Sequence, residues 1–148
     1  MSQDVGELLL RSVPFARTLG IVVETAEDGR AICRVPPRAD LANHVGGPHA
    51  GVLFTLAESA SGAAVLSLFA DQLERAVPLP TTATIAFRKI ATGEVRASAR
   101  LAVSREDVLA RLDAGERPEF DVEVEITNAD GAVVSTLAVT WTLRPNRP

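Results

Sequence analysis

Residues 43–51 and the apolar stretch that follows them contain the groups best suited to chemistry on a carbonyl. The loop is rich in glycine, and Glu58 is the only charged residue within 50–70. Free N–H groups at a helix start donate hydrogen bonds and carry the positive end of the helix dipole, so they stabilise an oxyanion. A carboxylate among apolar neighbours has a raised pKa, which suits a general base. The pattern predicts an oxyanion site at the helix start and a base within the helix.

The spacing between His49 and Glu58 predicts that one chain cannot supply both groups to one substrate. Nine helical residues rise about 13 Å and place the two side chains on roughly opposite faces. If the Ala50 N–H and the Glu58 carboxylate act on the same carbonyl, they must come from different subunits. The spacing therefore predicts a dimer with two composite sites.

The apolar stretch 50–70 is also long enough to span a membrane. It contains three serines as well as Glu58, and a carboxylate near the middle of a bilayer costs about 2.5 kcal/mol or more. We therefore expect a helix that is apolar nearly all round because it is buried inside a domain. A single sheet cannot cover every face of this helix. The remaining face predicts a second copy, in a homodimer or a dimer of dimers.

Hydrophobic periodicity predicts the elements around this helix. A short amphipathic helix ends near Ser12, and Asp28-Gly29 marks a hairpin turn. The predicted strands cover 20–26, 30–35, 82–90, 95–103, 120–127 and 133–143, with a linker over 71–80 and one helical turn or a mobile loop over 106–115. We expect Arg96 and Arg100 to meet Glu123 and its neighbours on the next strand. The fold class is α+β, with one domain over 1–148 in which a curved six-stranded antiparallel sheet wraps the central helix.

Composition narrows the classes of partner and location. A chain of 148 residues with 47% hydrophobic residues suits one globular domain. A net charge of -4 and few aromatic residues argue against a nucleic-acid partner. The single cysteine, Cys33, and two histidines predict no disulfide and no metal site. The N-terminus lacks a signal-peptide pattern, so we expect a cytoplasmic protein that does not enter a membrane.

The run Asn-His-Val-Gly-Gly-Pro-His-Ala-Gly over 43–51, with Glu58 nine residues after His49, resembles a known family. It is similar to the hot-dog fold thioesterases of the phenylacetate-pathway (PaaI-like) type and to the related, uncharacterised DUF4442-like branch. The order of predicted elements matches that hot-dog fold over nearly the whole chain. The resemblance implies hydrolysis of an acyl-coenzyme A thioester at a dimer interface, with no cofactor besides the coenzyme A of the substrate.

The resemblance also implies roles for individual residues. Glu58 would be the general base or nucleophile, Asn43 would orient water or the thioester, and the Ala50 N–H would polarise the carbonyl. His49 would brace the loop. The candidate substrate-binding residues are His44, Gly47, Gly51, Thr81, Thr82 and Arg88. The residues expected to shape the acyl tunnel are Phe54, Leu56, Val65, Phe87 and Trp141.

Plainer roles stay open for several of these residues. Glu58 is also explained by an interface hydrogen bond, Asn43 by a turn, and His49 by a helix cap. Arg88 and Lys89, with the arginines of the next strand, are either solvated strand residues or a basic rim for the phosphates of coenzyme A. Two other functions also stay open. One is binding of acyl-coenzyme A or another apolar ligand without turnover, and the other is hydration or dehydration of an enoyl or 3-hydroxyacyl thioester.

Overall fold

A long helix packs against a single six-stranded antiparallel sheet in the computed structural model, which describes residues 4–146. The helices are α1 (Val5–Ser12), α2 (Pro14–Thr18), α3 (Ala50–Phe69) and α4 (Arg105–Asp113), with short 3-10 turns at Ala39–Leu41 and Ala70–Gln72. The strands are β1 (Val22–Glu27), β2 (Arg30–Val35), β3 (Ala76–Phe87), β4 (Val95–Leu101), β5 (Glu119–Thr127) and β6 (Val133–Pro145). The strand order is β1-β2-β4-β5-β6-β3. This architecture confirms the predicted fold.

Helix α3 forms the centre of the core, as its composition predicts. Residues Ala50–Gln72 are long and apolar enough to cross a membrane, but 67% of the most apolar window is buried within the domain. The helix contacts five strands of the sheet, β1, β2, β4, β5 and β6, and it also contacts the two N-terminal helices. Its apolar character therefore reflects burial in a folded domain.

The turn of the β1–β2 hairpin lies at Asp28-Gly29, as the sequence predicts. Asp28 and Gly29 have φ angles of 53° and 78°, the left-handed pair that a two-residue hairpin turn requires. The Gly29 N–H donates to the Ser67 Oγ at 2.8 Å, which ties the turn to the end of α3. The two turn residues specify this conformation by themselves, so the prediction of the turn does not depend on the rest of the fold.

Two segments differ from their predictions, and helix α2 (Pro14–Thr18) lies beyond the single N-terminal helix that was predicted to end near Ser12. Strand β3 begins at Ala76, so the second half of the predicted linker over 71–80 belongs to the sheet. Pro78 and Pro80 are tolerated because, among the described strands, β3 pairs with β6 alone and is an edge strand. The segment predicted as one turn or a mobile loop is the nine-residue helix α4, whose N-cap Ser104 accepts from the Asp107 N–H at 3.1 Å.

Of the two arginines predicted to pair with carboxylates on β5, one does so. Arg100 pairs with Glu123 at 3.0 Å, across β4 and β5. Arg96 lies opposite Thr127 and instead reaches Glu24 on β1 at 2.8 Å, and Glu24 also pairs with Arg34. The register puts an uncharged residue opposite Arg96 on β5, and the Arg96 guanidinium instead reaches across β2 to the carboxylate on β1. Exposed pairs of this kind contribute about 1 kcal/mol or less each.

Candidate active site

Asn43 builds the loop before α3. Its Oδ1 accepts from the N–H groups of Val45 and Gly47 at 3.0 and 3.1 Å, and its Nδ2 donates to the Pro48 carbonyl at 3.4 Å. The Asn43 N–H donates to the Gly47 carbonyl at 2.7 Å. The side chain therefore acts as a turn former, and any contact with substrate falls to the second hydrogen of Nδ2.

Gly47 is buried and packs against the segment that joins β3 and β4. A Cβ built on Gly47 would lie 2.1 Å from the carbonyl oxygen of Ala91, which is far inside contact distance. Only glycine lets the loop approach this backbone. Gly47 thus has a packing role in the described chain, and the loop that precedes Ala50 depends on it.

Replacing Gly47 with alanine is expected to destabilise the protein by about 2–4 kcal/mol, because backbone has to move to relieve the clash. Thermal unfolding followed by circular dichroism measures this. Gly46→Ala is the matched control, since Gly46 has a φ of +85° but open space around a built Cβ. Its cost should be only about 1–2 kcal/mol, from the left-handed backbone alone. Equal losses in the two variants would refute the packing role of Gly47.

His49 is the N-cap of α3. Its Nδ1 accepts from the Gly51 N–H at 2.8 Å, so a neutral imidazole holds its hydrogen on Nε2. The His49 carbonyl accepts from the N–H groups of Val52 and Leu53 at 2.9 and 3.1 Å, and the His49 N–H donates to the Leu41 carbonyl at 2.9 Å. The first-turn donors of α3 are nearly all satisfied by one residue.

The Ala50 N–H is the exception. Within residues 4–146 no acceptor takes this hydrogen, whereas the N–H groups before and after it are bonded. Ala50 is exposed and is the first residue of α3, so its N–H also lies at the positive end of the helix dipole. This is the donor that the sequence pattern predicts for a developing oxyanion.

A cavity of about 440 Å³ has Ala50 in its lining. It is lined by Asn43, His44, Val45, Pro48, Ala50, Leu53, Phe87, Arg88, Lys89, Ile90 and Ala91. The structure therefore brings together four of the predicted site residues: Asn43, His44, Ala50 and Arg88. His49 and Gly51 line a neighbouring groove.

The two threonines predicted as substrate-binding lie apart from this cavity. Thr81 and Thr82 are exposed on β3, where the register shifts between Pro80 and Thr82. The Thr81 hydroxyl donates to the Thr140 carbonyl at 3.2 Å, so it supports the β3–β6 pairing. Neither threonine lines the cavity of Ala50 or that of Glu58.

Glu58 faces a second cavity, of about 420 Å³, between α1, α3 and the β3–β6 end of the sheet. Its lining is Leu8, Leu9, Ser12, Val13, Glu58, Ser59, Gly62, Leu66, Leu73, Val77, Pro78 and Trp141. Burial raises the pKa of the Glu58 carboxyl, and no charged or hydrogen-bonding group in the described chain offsets it. A half-buried carboxylate without a partner is suited to take a proton.

The cavities of Ala50 and Glu58 have no lining residue in common. Within one chain, the donor and the carboxylate therefore face different spaces, as the helical spacing predicts. Within residues 4–146 no group of three His, Cys, Asp or Glu side chains is placed to hold a metal ion. The chemistry available to the described residues is that of a carboxylate and a backbone donor.

The sequence identified the charged group of the second cavity, but most of the residues that line this cavity were not predicted. Of the five residues expected to shape an acyl tunnel, only Trp141 lines the Glu58 cavity, while Leu56 and Val65 are fully buried in the core. Gly62 and Leu66 were missed. Their positions, four and eight residues after Glu58, were the available signal, because residues four apart share a helix face.

Known proteins resemble this chain over nearly its whole length. The family model described as "Domain of unknown function (DUF4442)" matches residues 3–143. A Pseudomonas aeruginosa protein of unknown function, described as a probable thioesterase, is 31% identical, with a TM-score of 0.84 over 96% of this chain and 94% of that chain. No curated protein matches the sequence.

Two further solved structures have the same fold. A conserved Pseudomonas aeruginosa protein is 26% identical, with a TM-score of 0.71 over 88% of this chain and 94% of that chain. The Escherichia coli PaaI protein from the phenylacetic acid degradation operon is 19% identical, with a TM-score of 0.73 over 93% and 88%. These similarities confirm the fold and the resemblance that residues 43–51 and Glu58 indicated.

Proposed function

Because this chain belongs to the DUF4442 family and has the hot-dog fold of thioesterases, we propose that it is an acyl-coenzyme A thioesterase acting as a cytoplasmic homodimer. The observation that carries the proposal is the Glu58 carboxylate, which is half-buried, has no partner among the described residues, and has its pKa raised by burial. The open Ala50 N–H supplies the complementary donor. A base and an oxyanion donor are the two groups that thioester hydrolysis requires.

In the proposed reaction, Glu58 of one subunit takes a proton from a water molecule, and the water oxygen attacks the thioester carbonyl carbon. The carbonyl oxygen becomes an oxyanion that accepts a hydrogen bond from the partner subunit's Ala50. The intermediate then expels the thiolate of coenzyme A, and the carbon–sulfur bond breaks. The proton held by Glu58 returns to the sulfur, which leaves a carboxylic acid and a free thiol.

Two surface features support the dimer that this reaction needs. The outer edge of β3 carries no partner strand among the described residues, and an open edge of twelve residues is normally covered. Phe54 and Phe87 are 37% and 53% exposed, and each borders a cavity at the start of α3. In the proposed dimer the second copy covers this edge, and the exposed rings supply apolar surface for it to bury.

The coenzyme A phosphates need a local basic group, since the net charge of the chain is -4. Arg88 and Lys89 line the Ala50 cavity and are exposed. Arg96 and Arg100 are already paired with carboxylates on the sheet. We therefore assign the phosphate contacts to Arg88 and Lys89 and leave the other two arginines out of the basic rim.

The experiment is thiol release from a panel of acyl-coenzyme A esters, followed with a dithio reagent. Cys33 does not interfere, because burial raises the pKa of its thiol to about 12 and the side chain is inaccessible. The wild type should release coenzyme A from at least one ester faster than Glu58→Ala does. If the wild type matches Glu58→Ala on every ester, the proposal fails.

The same panel separates the other functions. Loss of enoyl absorbance without thiol release would indicate a hydratase, in which His44 lies in the Ala50 cavity as the second acid–base group. Saturable binding of an ester without either change would indicate a binding protein. Each outcome is read on the same purified protein, so no separate preparation is needed.

A further inference from the structure

The Glu58 cavity is apolar beyond the carboxylate, and most of its walls come from α1, α3, β3 and β6. Helix α1 contributes Leu8 and Leu9, and β6 contributes Trp141. Besides Glu58, the polar side chains in the lining are Ser12 and Ser59. Among residues 4–146 no cationic side chain lines it, so a ligand with a second carboxylate would lose its hydration there without a charged partner.

Glu58, Gly62 and Leu66 lie along one face of α3, one turn apart, and all three line the cavity. Eight helical residues span about 12 Å, so the cavity extends that far along the helix from the carboxylate. At Gly62 the missing side chain opens this face to the indole of Trp141. A Cβ built on Gly62 would lie 3.5 Å from Trp141 Cη2 and 3.9 Å from Leu9 Cδ1.

We infer that the row of Gly62, Leu66 and Trp141 is the acyl-chain site of the enzyme, that it takes an unsubstituted hydrocarbon acyl group, and that Gly62 sets the accepted chain length. This inference rests on the proposed function, since it treats Glu58 as the reacting end of the cavity. A chain of about octanoyl length follows α3 past Gly62 and ends near Leu66. An acyl group with a terminal carboxylate is excluded.

The first test detects binding of a ligand in the Glu58 cavity and does not require catalysis. Trp141 is the only tryptophan and the chain has no tyrosine, so the intrinsic emission reports this cavity alone. Octanoate with bromine on its terminal carbon should quench the emission in a saturable way, whereas unbrominated octanoate should displace it and restore the signal. The eight-carbon dicarboxylate should not displace it.

The second test measures the acyl chain-length preference of two variants, which should shift that preference in opposite directions. Gly62→Ala fits at ordinary contact distance and improves helix propensity, so it should raise the melting temperature. It should also lower the octanoyl-to-butyryl ratio of kcat/KM roughly 10-fold, the low end of what one added carbon achieves in an apolar pocket. Leu66→Ala should instead shift the preference toward chains longer than octanoyl.

Leu68→Ala is the matched control for Leu66→Ala. Leu68 is also a half-buried leucine near the end of α3, but it packs against Gly29 and does not line the cavity. It should lower stability without changing the chain-length preference.

The outcomes distinguish this inference from the proposed function. Quenching of Trp141 by bromo-octanoate in a protein that hydrolyses no thioester would support the acyl site and refute the thioesterase. Hydrolysis without quenching, or with an unchanged octanoyl-to-butyryl ratio in a folded Gly62→Ala variant, would overturn the acyl site and leave the thioesterase standing. Displacement by the dicarboxylate would overturn the assignment to hydrocarbon chains.

Discussion

Replacing Glu58 with glutamine should lower kcat for thioester hydrolysis roughly 100- to 10,000-fold, the range that positioned general bases contribute. The amide has nearly the shape of the carboxyl group, so the apolar cavity around it is preserved. The loss should appear in kcat, because in the proposed reaction Glu58 acts on the attacking water. Steady-state thiol release on the preferred ester measures it. Glu74→Gln, at an exposed position outside the Glu58 cavity, is the control and should leave kcat unchanged.

The pH dependence of the activity follows from the burial of the Glu58 carboxyl. The pKa of Glu58 is raised by desolvation, so the acid limb of the kcat/KM profile should lie above the ordinary range of a glutamate. In Glu58→Gln this limb should disappear from any residual activity. An acid limb that the glutamine variant retains would assign the titration to another group and remove Glu58 from the role of base.

Stability should change with pH in the opposite sense to activity. A carboxyl whose pKa is higher in the folded state favours folding most when it is protonated, below its unfolded pKa. This advantage is lost as the pH rises through the folded pKa. Glu58→Gln should therefore gain melting temperature relative to the wild type at pH 8 and show little gain at pH 4. The difference between the two pH values isolates the ionisation from packing effects.

The local signals of the chain predict most of the fold. The Asp28-Gly29 turn, the alternation of β5 and the uniformly apolar α3 each encode their structure within a few residues. The start of β3 is different. Its prolines and nearby charges are typical of a linker, and only the pairing with β6 keeps it in the sheet. That pairing is set by residues some sixty positions away in the sequence, so no local window contains it.

Some features of the candidate site could likewise be predicted from the sequence, and others could not. Glu58 stands out because a single charge in an apolar helix is visible from the sequence alone. The Ala50 donor follows from its place at a helix start. The walls of the Glu58 cavity come mainly from α1, α3, β3 and β6, and their meeting depends on how α1 packs against α3. Thr81 and Gly47 were predicted as substrate contacts, and the structure places them in strand pairing and loop packing.

Replacing Ala50 with proline should lower kcat roughly 100- to 1,000-fold while leaving the fold intact, because it removes one oxyanion donor. Proline suits this position, which is the first of the helix and does not need its N–H for the helical ladder. His49 before it has φ -61° and ψ 149°, the extended conformation that a residue preceding proline prefers. Ala50→Gly keeps the N–H and is the control, so its kcat should stay at or above the wild-type value.

A mixed dimer then tests whether the donor and the base come from different subunits. One subunit carries Ala50→Pro and the other Glu58→Gln, each with its own affinity tag so that the mixed species can be purified. In a shared site, one of the two sites then combines the intact Glu58 of the first subunit with the intact Ala50 of the second. The mixed dimer should recover about half of the wild-type activity, since the two sites of a symmetric dimer are equivalent.

If both groups instead act from the same chain, every site in the mixed dimer carries one defect, and the activity stays at the level of the single variants. The parent homodimers measured at the same subunit concentration set that level. The comparison does not depend on the absolute rate, because all three species differ only in how the same two substitutions are distributed. Recovery therefore requires that the Ala50 N–H and the Glu58 carboxylate meet across the interface, as the separation of their cavities within one chain predicts.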